Sequence, residues 1–158
     1  LKERFGTVNN LNIIWMGDMN NVLFSLIEVI GFTKNTKVDV FTDEKIFLKN
    51  KDIFNINENI NFHFEINESI ISKGNCIMTD VFTSMNDKED KENTLSKFQV
   101  NDQIMSLTND ESVFMHCLPA KIGSEVSEDV IKGEKSIVLA QARNRLVAQK
   151  GILKWLSI

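Results

Sequence analysis

The sequence predicts an α/β domain with three layers, in which a Rossmann-like parallel sheet lies between helices. Short, almost continuously apolar segments alternate with segments of helical periodicity, which is typical of a parallel sheet buried on both faces. Most of the apolar segments end in polar residues, as strands do at turns. Because the 158 residues contain no repeat, linker or low-complexity tract, we expect one domain over residues 1–158.

The first strand, helix and strand form the clearest unit. An apolar run at 11–16 ends in a Gly-Asp pair and predicts a buried strand. Apolar residues at helical spacing predict a helix over 20–30, with Asp18 or Asn20 able to cap its first turn. The segment 37–42 predicts a second strand after a short connection, as a right-handed crossover requires.

The remaining elements are predicted with the same criteria. Further strong strands are expected at 76–79 and 112–116, and a fifth strand at 136–139. Helices are expected at 87–98, where the stretch is charged and exposed, and at 102–107, 125–131 and 142–156. The segment 43–73 is less regular, with a strand or turn at 61–66 and a short helix at 68–73.

Parallel sheets of this class bind ligands outside the carboxyl ends of their strands. We therefore expect the loops at 17–21, 80–86 and 116–119 to converge on one edge of the sheet. This expectation locates a candidate site before any motif is interpreted.

The tetrapeptide His116-Cys117-Leu118-Pro119 contains the only proline of the chain. Pro119 keeps Leu118 out of the helical region, so the Leu118 carbonyl can face a ligand, and the Leu118–Pro119 bond is a candidate for the cis form. The alternative is that His116 and Cys117 merely end a core strand that Pro119 stops.

Asp80 follows the third strong strand, where a carboxylate can receive an ammonium group. Ser84 and the backbone near Met85 can add hydrogen bonds. The alternative is that Asp80 and Ser84 cap the next helix and that Met85 is a core or hinge residue.

Two further positions can bind oxygen-rich groups. The turn before the first helix offers free N–H groups to an anion, and Asn21 adds a side-chain amide, although an Asn-rich cap explains the same residues. Arg145 can clamp a phosphate or carbonyl oxygen, but exposed arginines usually do less. We expect His63 to be structural or solvent-facing and 88–91 to be a solvated helix face.

Composition excludes several classes of protein. A net charge of -4 gives no basic surface for nucleic acid, and no apolar run reaches the roughly 20 residues of a membrane helix. Cys76 and Cys117 lack metal-ligand spacing, so we expect a reduced, intracellular chain. The chain begins at Leu1 without a secretory signal, which favours a piece of a longer polypeptide.

Four motifs, in this order, resemble the carboxyl-terminal domain of ornithine carbamoyltransferases. They are IWMGDMNNV at 14–22, TDVFTSM at 79–85, HCLPA at 116–120 and ARNRLVAQK at 142–150. The resemblance implies a core strand order of 2-1-3-4 and substrates ornithine and carbamoyl phosphate. It also implies an amino-terminal carbamoyl-phosphate domain as partner, a homotrimer for the complete enzyme, a cytoplasmic location, and no cofactor or metal.

The resemblance also assigns roles to individual residues that would bind ornithine. It implies that Asn21 holds the carboxylate end of ornithine and that Asp80 holds its α-ammonium. Ser84 and Met85 are expected to close a mobile loop over the bound molecule.

A second group is expected to act on the reacting atoms. Cys117, as a thiolate, is placed beside the δ-amine, and the Leu118 carbonyl and Arg145 contact the carbamoyl group. The resemblance therefore implies Cys117 and Arg145 as catalytic residues.

The sequence departs from the family pattern at several points. Met19 and Asn86 stand where the family has Gly, which removes flexible backbone, and Arg143 replaces a Glu. The family's Ser-Thr-Arg-Thr phosphate-binding stretch is absent from these 158 residues, so we expect the main carbamoyl-phosphate site to lie outside them.

Three alternatives therefore stay open. The first is a non-catalytic module that keeps the fold and binds an amino acid or a partner. The second is a carbamoyltransferase for another amine, such as putrescine or an acetylated ornithine, although Asp80 favours a free α-ammonium. The third is a dinucleotide-binding domain, which the missing G-x-G-x-x-G pattern disfavours.

Overall fold

The computed structural model describes residues 1–53, 58–84 and 90–157 and contains a parallel sheet of five strands in this described part. The strands are β1 (Asn12–Met16), β2 (Lys37–Phe41), β3 (Ile60–His63), β4 (Cys76–Thr79) and β5 (Val113–His116). Their order is β3-β2-β1-β4-β5, and each neighbouring pair is parallel. The predicted fold class and the order of the four strong strands are confirmed.

Helices connect the strands and extend beyond the last one. They are α1 (Lys2–Phe5), α2 (Asn21–Ile30), α3 (Glu44–Asn50), α4 (Glu68–Ile71), α5 (Glu92–Leu95), α6 (Asp102–Ser106), α7 (Glu128–Lys132) and α8 (Val138–Leu156), with 3-10 turns at Lys51–Ile53 and Ser96–Phe98. As predicted, Asn20 caps α2: its Oδ1 accepts hydrogen bonds from the backbone N–H groups of Val22 (3.0 Å) and Leu23 (3.2 Å).

The core explains why the strands are apolar at consecutive positions. Residues 13–16 of β1 are all buried, so both faces of this central strand are covered. Because crossovers between parallel strands are right-handed, the connections on the β2 side of β1 cover one face of the sheet and those on the β4 side cover the other. The indole of Trp15 is fully buried, and its Nε1–H donates to the backbone oxygen of Asp18 (2.9 Å). The end of β1 is thereby fastened to the turn that follows it.

The predicted strand at 136–139 is wrong. Ser136 forms one isolated bridge with Phe114, the Ile137 N–H donates to the Phe114 oxygen (3.0 Å), and the chain then turns into α8 at Val138. A short apolar run cannot be assigned to strand or helix from periodicity alone, and here it holds the start of a helix against the sheet edge. The fifth strand is instead β3, which overlaps the predicted strand or turn at 61–66 over residues 61–63.

Two helix predictions need correction. In 87–98 the part at 87–89 lies outside the described residues, and the rest forms α5 and a 3-10 turn whose Leu95 and Phe98 are fully buried, so the stretch is not simply exposed. In 125–131 the helix starts only at Glu128, after Ser127 caps it. Glu125 lies before this helix and is buried.

Gly17 ends β1 in a conformation that side chains avoid. Its φ is +128°, and a Cβ there would lie 2.8 Å from Cε1 of Phe82. We expect Gly17→Ala to lower the free energy of unfolding by about 3 kcal/mol, because it combines backbone strain with overpacking.

Gly151→Ala is the matched control, since its Cβ would meet nothing within 4 Å on α8. This change should raise helix stability by up to about 0.8 kcal/mol. Chemical denaturation of both variants checks the pair. A loss below about 1 kcal/mol for Gly17→Ala would contradict the close packing of Phe82 on this turn.

Candidate functional site

The carboxyl ends of β1, β4 and β5 bring three polar side chains into contact. Asp80, which follows β4, is 7% exposed. Its Oδ2 accepts a hydrogen bond from Nδ2 of Asn20 (2.9 Å), and its Oδ1 accepts one from Sγ of Cys117 (2.9 Å). Asn20 follows β1 and Cys117 follows β5, so the three predicted loops do meet at this edge of the sheet.

Asn20 serves two elements at once. Its Oδ1 accepts from the first turn of α2 while its Nδ2 donates to Asp80. Sequence reasoning identified Asn20 as a helix cap but missed its contact with Asp80. The signal was present, because Asn20 lies in the loop predicted to converge with the one that carries Asp80.

The surroundings of Cys117 favour the neutral thiol over the expected thiolate. Burial raises the pKa of Cys117, and the hydrogen bond to the Asp80 carboxylate and the negative charge of that carboxylate raise it further, to about 12. The positive charge of Arg145 acts in the opposite direction but is outweighed. The S–H group therefore donates a hydrogen bond to the Asp80 carboxylate and keeps its proton.

His116 holds the chain beyond β5 in place. The N–H of Leu118 donates to Nδ1 of His116 (2.9 Å), so Nε2 carries the ring proton and donates to Oε1 of Glu125 (3.2 Å). The backbone N–H of Lys121 donates to the same Glu125 oxygen (2.5 Å). The side chains of His116 and Glu125 are fully buried. The network fixes Leu118, which has a φ of +57° and precedes a cis bond to Pro119.

Charge on Glu125 is favoured despite its burial. Burial raises the pKa of this carboxyl, but hydrogen bonds from His116 and from backbone N–H groups outweigh it, so the pKa lies below its ordinary value. Sequence reasoning missed Glu125, which lies nine residues beyond His116 in a segment predicted to be helical. Nothing local in the sequence pairs these two residues.

The other predicted site residues surround this cluster less closely. Asn21 is the exposed first residue of α2, and Ser84 is half-buried after β4. Arg145 is exposed on α8, within electrostatic reach of Cys117. Met85 lies outside the described residues.

The departures from the family pattern are partly explained. Met19 is 6% exposed and packs in the core without a positive φ, so the turn accommodates this side chain without backbone strain. Asn86 lies outside the described residues, and Arg143 is exposed on α8.

Helix α8 contacts the site strand directly. Oε1 of Gln141 accepts a hydrogen bond from the backbone N–H of His116 (3.1 Å). Lys91 also reaches toward the site, because its Nζ lies 2.9 Å from Oδ2 of the buried Asp18. The predicted solvated face at 88–91 is therefore wrong for Lys91, whereas 88 and 89 lie outside the described residues. His63 is structural, as expected, and pairs with Asp39 (2.8 Å).

Asp80, His116 and Cys117 offer donor atoms within 4.8 Å of one another, a set that could in principle hold a metal ion. Both ring nitrogens of His116 already take part in hydrogen bonds, to Leu118 and Glu125. A metal would have to displace the Leu118 N–H, so the geometry favours a hydrogen-bonded cluster.

An open parallel sheet whose strand order reverses at β1 is typical of doubly wound α/β domains, and the buried Asp80 lies at the edge where such domains bind ligands. Residues 9–156 match the family model for the Asp/Orn binding domain of aspartate/ornithine carbamoyltransferase. The chain belongs to this family. Within the described residues, no helix has the length and apolar character to cross a membrane.

Individual relatives agree with this assignment. The chain is 37% identical to ornithine carbamoyltransferase of Nitrobacter winogradskyi over 162 residues, which covers 98% of the chain and 51% of that protein. A solved ornithine carbamoyltransferase from Thermus thermophilus has a TM-score of 0.77 and 34% identity, over 96% of this chain and 50% of the other. One from Pyrococcus furiosus has a TM-score of 0.77 and 32% identity, over 96% and 51%. The chain thus spans about half the length of the curated relatives it matches.

Proposed function

We propose that this chain is the ornithine-binding half of an ornithine carbamoyltransferase. The enzyme transfers the carbamoyl group of carbamoyl phosphate to the δ-amine of ornithine and releases citrulline and phosphate. The single observation that carries the proposal is the buried Asp80, which Asn20 and Cys117 hold at the carboxyl edge of the sheet. A desolvated carboxylate favours a cationic ligand strongly.

The reaction follows from the charges of its two substrates. The δ-amine nitrogen attacks the carbamoyl carbon, a C–N bond forms, and the C–O bond to phosphate breaks with its electron pair on the phosphate. The ammonium must first release one proton to solvent, and a site that excludes water lowers the pKa of a bound ammonium. After attack the nitrogen loses a second proton, which the departing phosphate accepts. Alignment of two small substrates contributes several kcal/mol of the barrier reduction.

Asp80 and Asn21 are the ornithine anchors of this proposal. Asp80 receives the α-ammonium, and the amide of Asn21, on the first turn of α2, receives the carboxylate together with the positive end of that helix. Ser84, half-buried after β4, adds a hydroxyl group. Met85 lies outside the described residues, and its expected role in closing a loop over ornithine stays a prediction.

Cys117, Leu118 and Arg145 face the reacting atoms in this proposal. Because the Cys117 thiol is neutral at pH 7, it orients the δ-amine by hydrogen bonding and does not act as a thiolate base. The Leu118 carbonyl, held by the network of His116, contacts the carbamoyl N–H groups. Arg145 stabilises negative charge on the carbamoyl oxygen.

The test mixes this chain with a separately produced amino-terminal half and follows ornithine binding and citrulline formation. Citrulline that forms only in the mixture, and is lost with Cys117→Ala, supports the proposal. If a demonstrably assembled mixture neither binds ornithine nor forms citrulline, the proposal is wrong and the chain is better explained as a non-catalytic module. Turnover of putrescine in preference to ornithine would favour a carbamoyltransferase for another amine.

Helix α8 is the surface that we assign to the amino-terminal partner. Val138 is the only buried residue among the 19 residues of α8, and the large apolar residues that follow it are 57–75% exposed. They are Leu139, Leu146, Val147, Ile152, Leu153, Trp155 and Leu156. A surface of this apolar character is typical of a protein interface. Leu1 lines a cleft of about 330 Å³ together with Asn144 of α8.

Leu146 and Leu153 test this interface, because they lie seven residues apart on one side of α8. We expect Leu146→Asp combined with Leu153→Asp to weaken association with the amino-terminal half by about a hundredfold, since each removes an apolar anchor. The free energy of unfolding of the chain alone should stay within about 0.5 kcal/mol of the parent. Analytical ultracentrifugation of the mixture measures the association.

Phe32→Asp is the matched control, because Phe32 is 92% exposed outside α8. If this control weakens association as much as the α8 variant, the assignment of the interface to α8 is wrong.

The proposal also includes a homotrimer of the complete enzyme and a cytoplasmic location. Two free cysteines, Cys76 and Cys117, support a reducing compartment.

A further inference from the structure

We propose that Lys91 is a positioning residue for the ornithine site: its ammonium group holds Asp18 and so fixes the turn that carries Asn20 against Asp80. The inference rests on the proposed function for its ligand, but its geometry is independent of it. Neither Lys91 nor Asp18 belongs to the residues assigned above to substrate. Their role is therefore indirect.

The contact joins two loops that are distant in sequence. Nζ of Lys91 lies 2.9 Å from Oδ2 of Asp18, across 73 residues of chain. The Asp18 side chain is 2% exposed and that of Lys91 is 21% exposed. A carboxylate buried to this extent is stable as an anion only with a close cation or several hydrogen bonds, and Lys91 supplies such a cation.

The backbone of Lys91 is itself anchored. Its N–H donates to Oγ1 of Thr83 (3.0 Å), and the same hydroxyl donates to Oδ1 of Asp90 (3.3 Å). Thr83 follows the buried Phe82, whose ring packs on Gly17 of the turn after β1. Lys91 thus reaches Asp18 from a fixed position on the β4 side of the site.

The turn after β1, which carries Asp18 and Asn20, cannot move without disturbing the hydrogen bonds of Asn20. Asn20 lies two residues after Asp18 and uses one amide group for two tasks, the cap of α2 and the hydrogen bond to Asp80. A shift of the turn would break one of these bonds. The ion pair at Asp18 therefore controls how Asp80 is held for an ammonium ligand.

The test compares Lys91→Met, Lys91→Arg and the double variant Asp18→Asn with Lys91→Met, each assembled with the amino-terminal half. Lys97→Met is the control, because Lys97 pairs with Glu65 at the surface, with side chains 41% and 82% exposed. We expect Lys91→Met to raise the KM for ornithine about tenfold, with little change in kcat or in the KM for carbamoyl phosphate. Lys91→Arg and Lys97→Met should behave as the parent.

The double variant separates positioning from stability. It replaces both charges of the ion pair, so thermal stability should return toward the parent while the KM for ornithine stays raised. A double variant that binds ornithine as well as the parent overturns the inference. This arm also decides the question if Lys91→Met alone fails to fold.

A ligand-free measurement keeps this result distinct from the fate of the proposed function. With only this chain isotope-labelled, the side-chain amide resonances of Asn20 should shift in the double variant and stay unchanged in Lys97→Met. Unchanged Asn20 resonances overturn the positioning role even if the parent does not bind ornithine. Absence of ornithine binding by the parent counts against the proposed function alone.

Discussion

Asp80→Ala is expected to abolish ornithine binding by the assembled protein, with at least a hundredfold loss of affinity. Asp80 is 7% exposed, and an ammonium that binds there exchanges water for a desolvated carboxylate. Loss of one partner of such a pair commonly costs about 2–5 kcal/mol. Isothermal titration calorimetry with ornithine measures the loss.

Asp80→Asn separates charge from shape, because an amide fills the same space and can still accept a hydrogen bond from Asn20. We expect it to lose nearly as much affinity as Asp80→Ala. Asp129→Asn, at an exposed carboxylate on α7, is the control and should bind as the parent. Ornithine affinity within threefold of the parent in Asp80→Asn would refute the role of this charge.

Two ligands divide the contributions of the anchors. Nα-acetylornithine lacks the α-ammonium and should bind the parent no better than ornithine binds Asp80→Asn. Putrescine lacks the carboxylate, so its affinity should be insensitive to replacement of Asn21. If Nα-acetylornithine binds as tightly as ornithine and putrescine affinity falls when Asn21 is replaced, the proposed orientation of ornithine is wrong.

Cys117 should react with iodoacetamide about a thousandfold more slowly than an ordinary thiol at pH 8. Its pKa is raised from 9.0 to about 12 by burial and by Asp80, and only the thiolate is nucleophilic. The rate should climb about tenfold per pH unit through pH 10 without reaching a plateau, because the folded pKa lies above this range. Mass spectrometry of the alkylated chain follows the reaction site by site.

Asp80→Asn should accelerate this alkylation, since it removes the negative charge that helps to raise the Cys117 pKa. Cys76 is fully buried, and burial raises its pKa to about 12 as well, so it should react only on unfolding and reports the integrity of the fold. A plateau of the Cys117 alkylation rate near pH 8 would show that Cys117 is a thiolate there and would contradict its raised pKa.

Most of the sheet could be predicted because its strands are buried on both faces. Consecutive apolar residues at 13–16 and 76–77 leave little choice of structure in a chain with short turns. The strand β3 was harder, since it lies at the edge of the sheet and alternates Asn61 and Phe62. The run at 136–139 misled because a helix that starts against a sheet is also apolar there.

The site was predictable where its residues follow strands and not where they pair across the fold. Asp80 and Cys117 come directly after β4 and β5, so their contact follows from topology alone. The pairs between Lys91 and Asp18 and between His116 and Glu125 join segments whose relative placement depends on loops. The state of Cys117 also required the structure, because its pKa depends on a partner 37 residues away.

Helix α8 contacts the site and also carries the surface that we propose binds the amino-terminal half. Gln141 holds the backbone of His116, while Leu146 and Leu153 lie farther along the same rigid element. A 19-residue helix is about 28 Å long, so a tilt of α8 imposed near Leu153 also moves its first turns, where Gln141 contacts His116. Assembly and ligand occupancy are then thermodynamically linked, and the linkage is reciprocal: whatever factor the partner half adds to ornithine affinity, ornithine adds to the affinity between the halves.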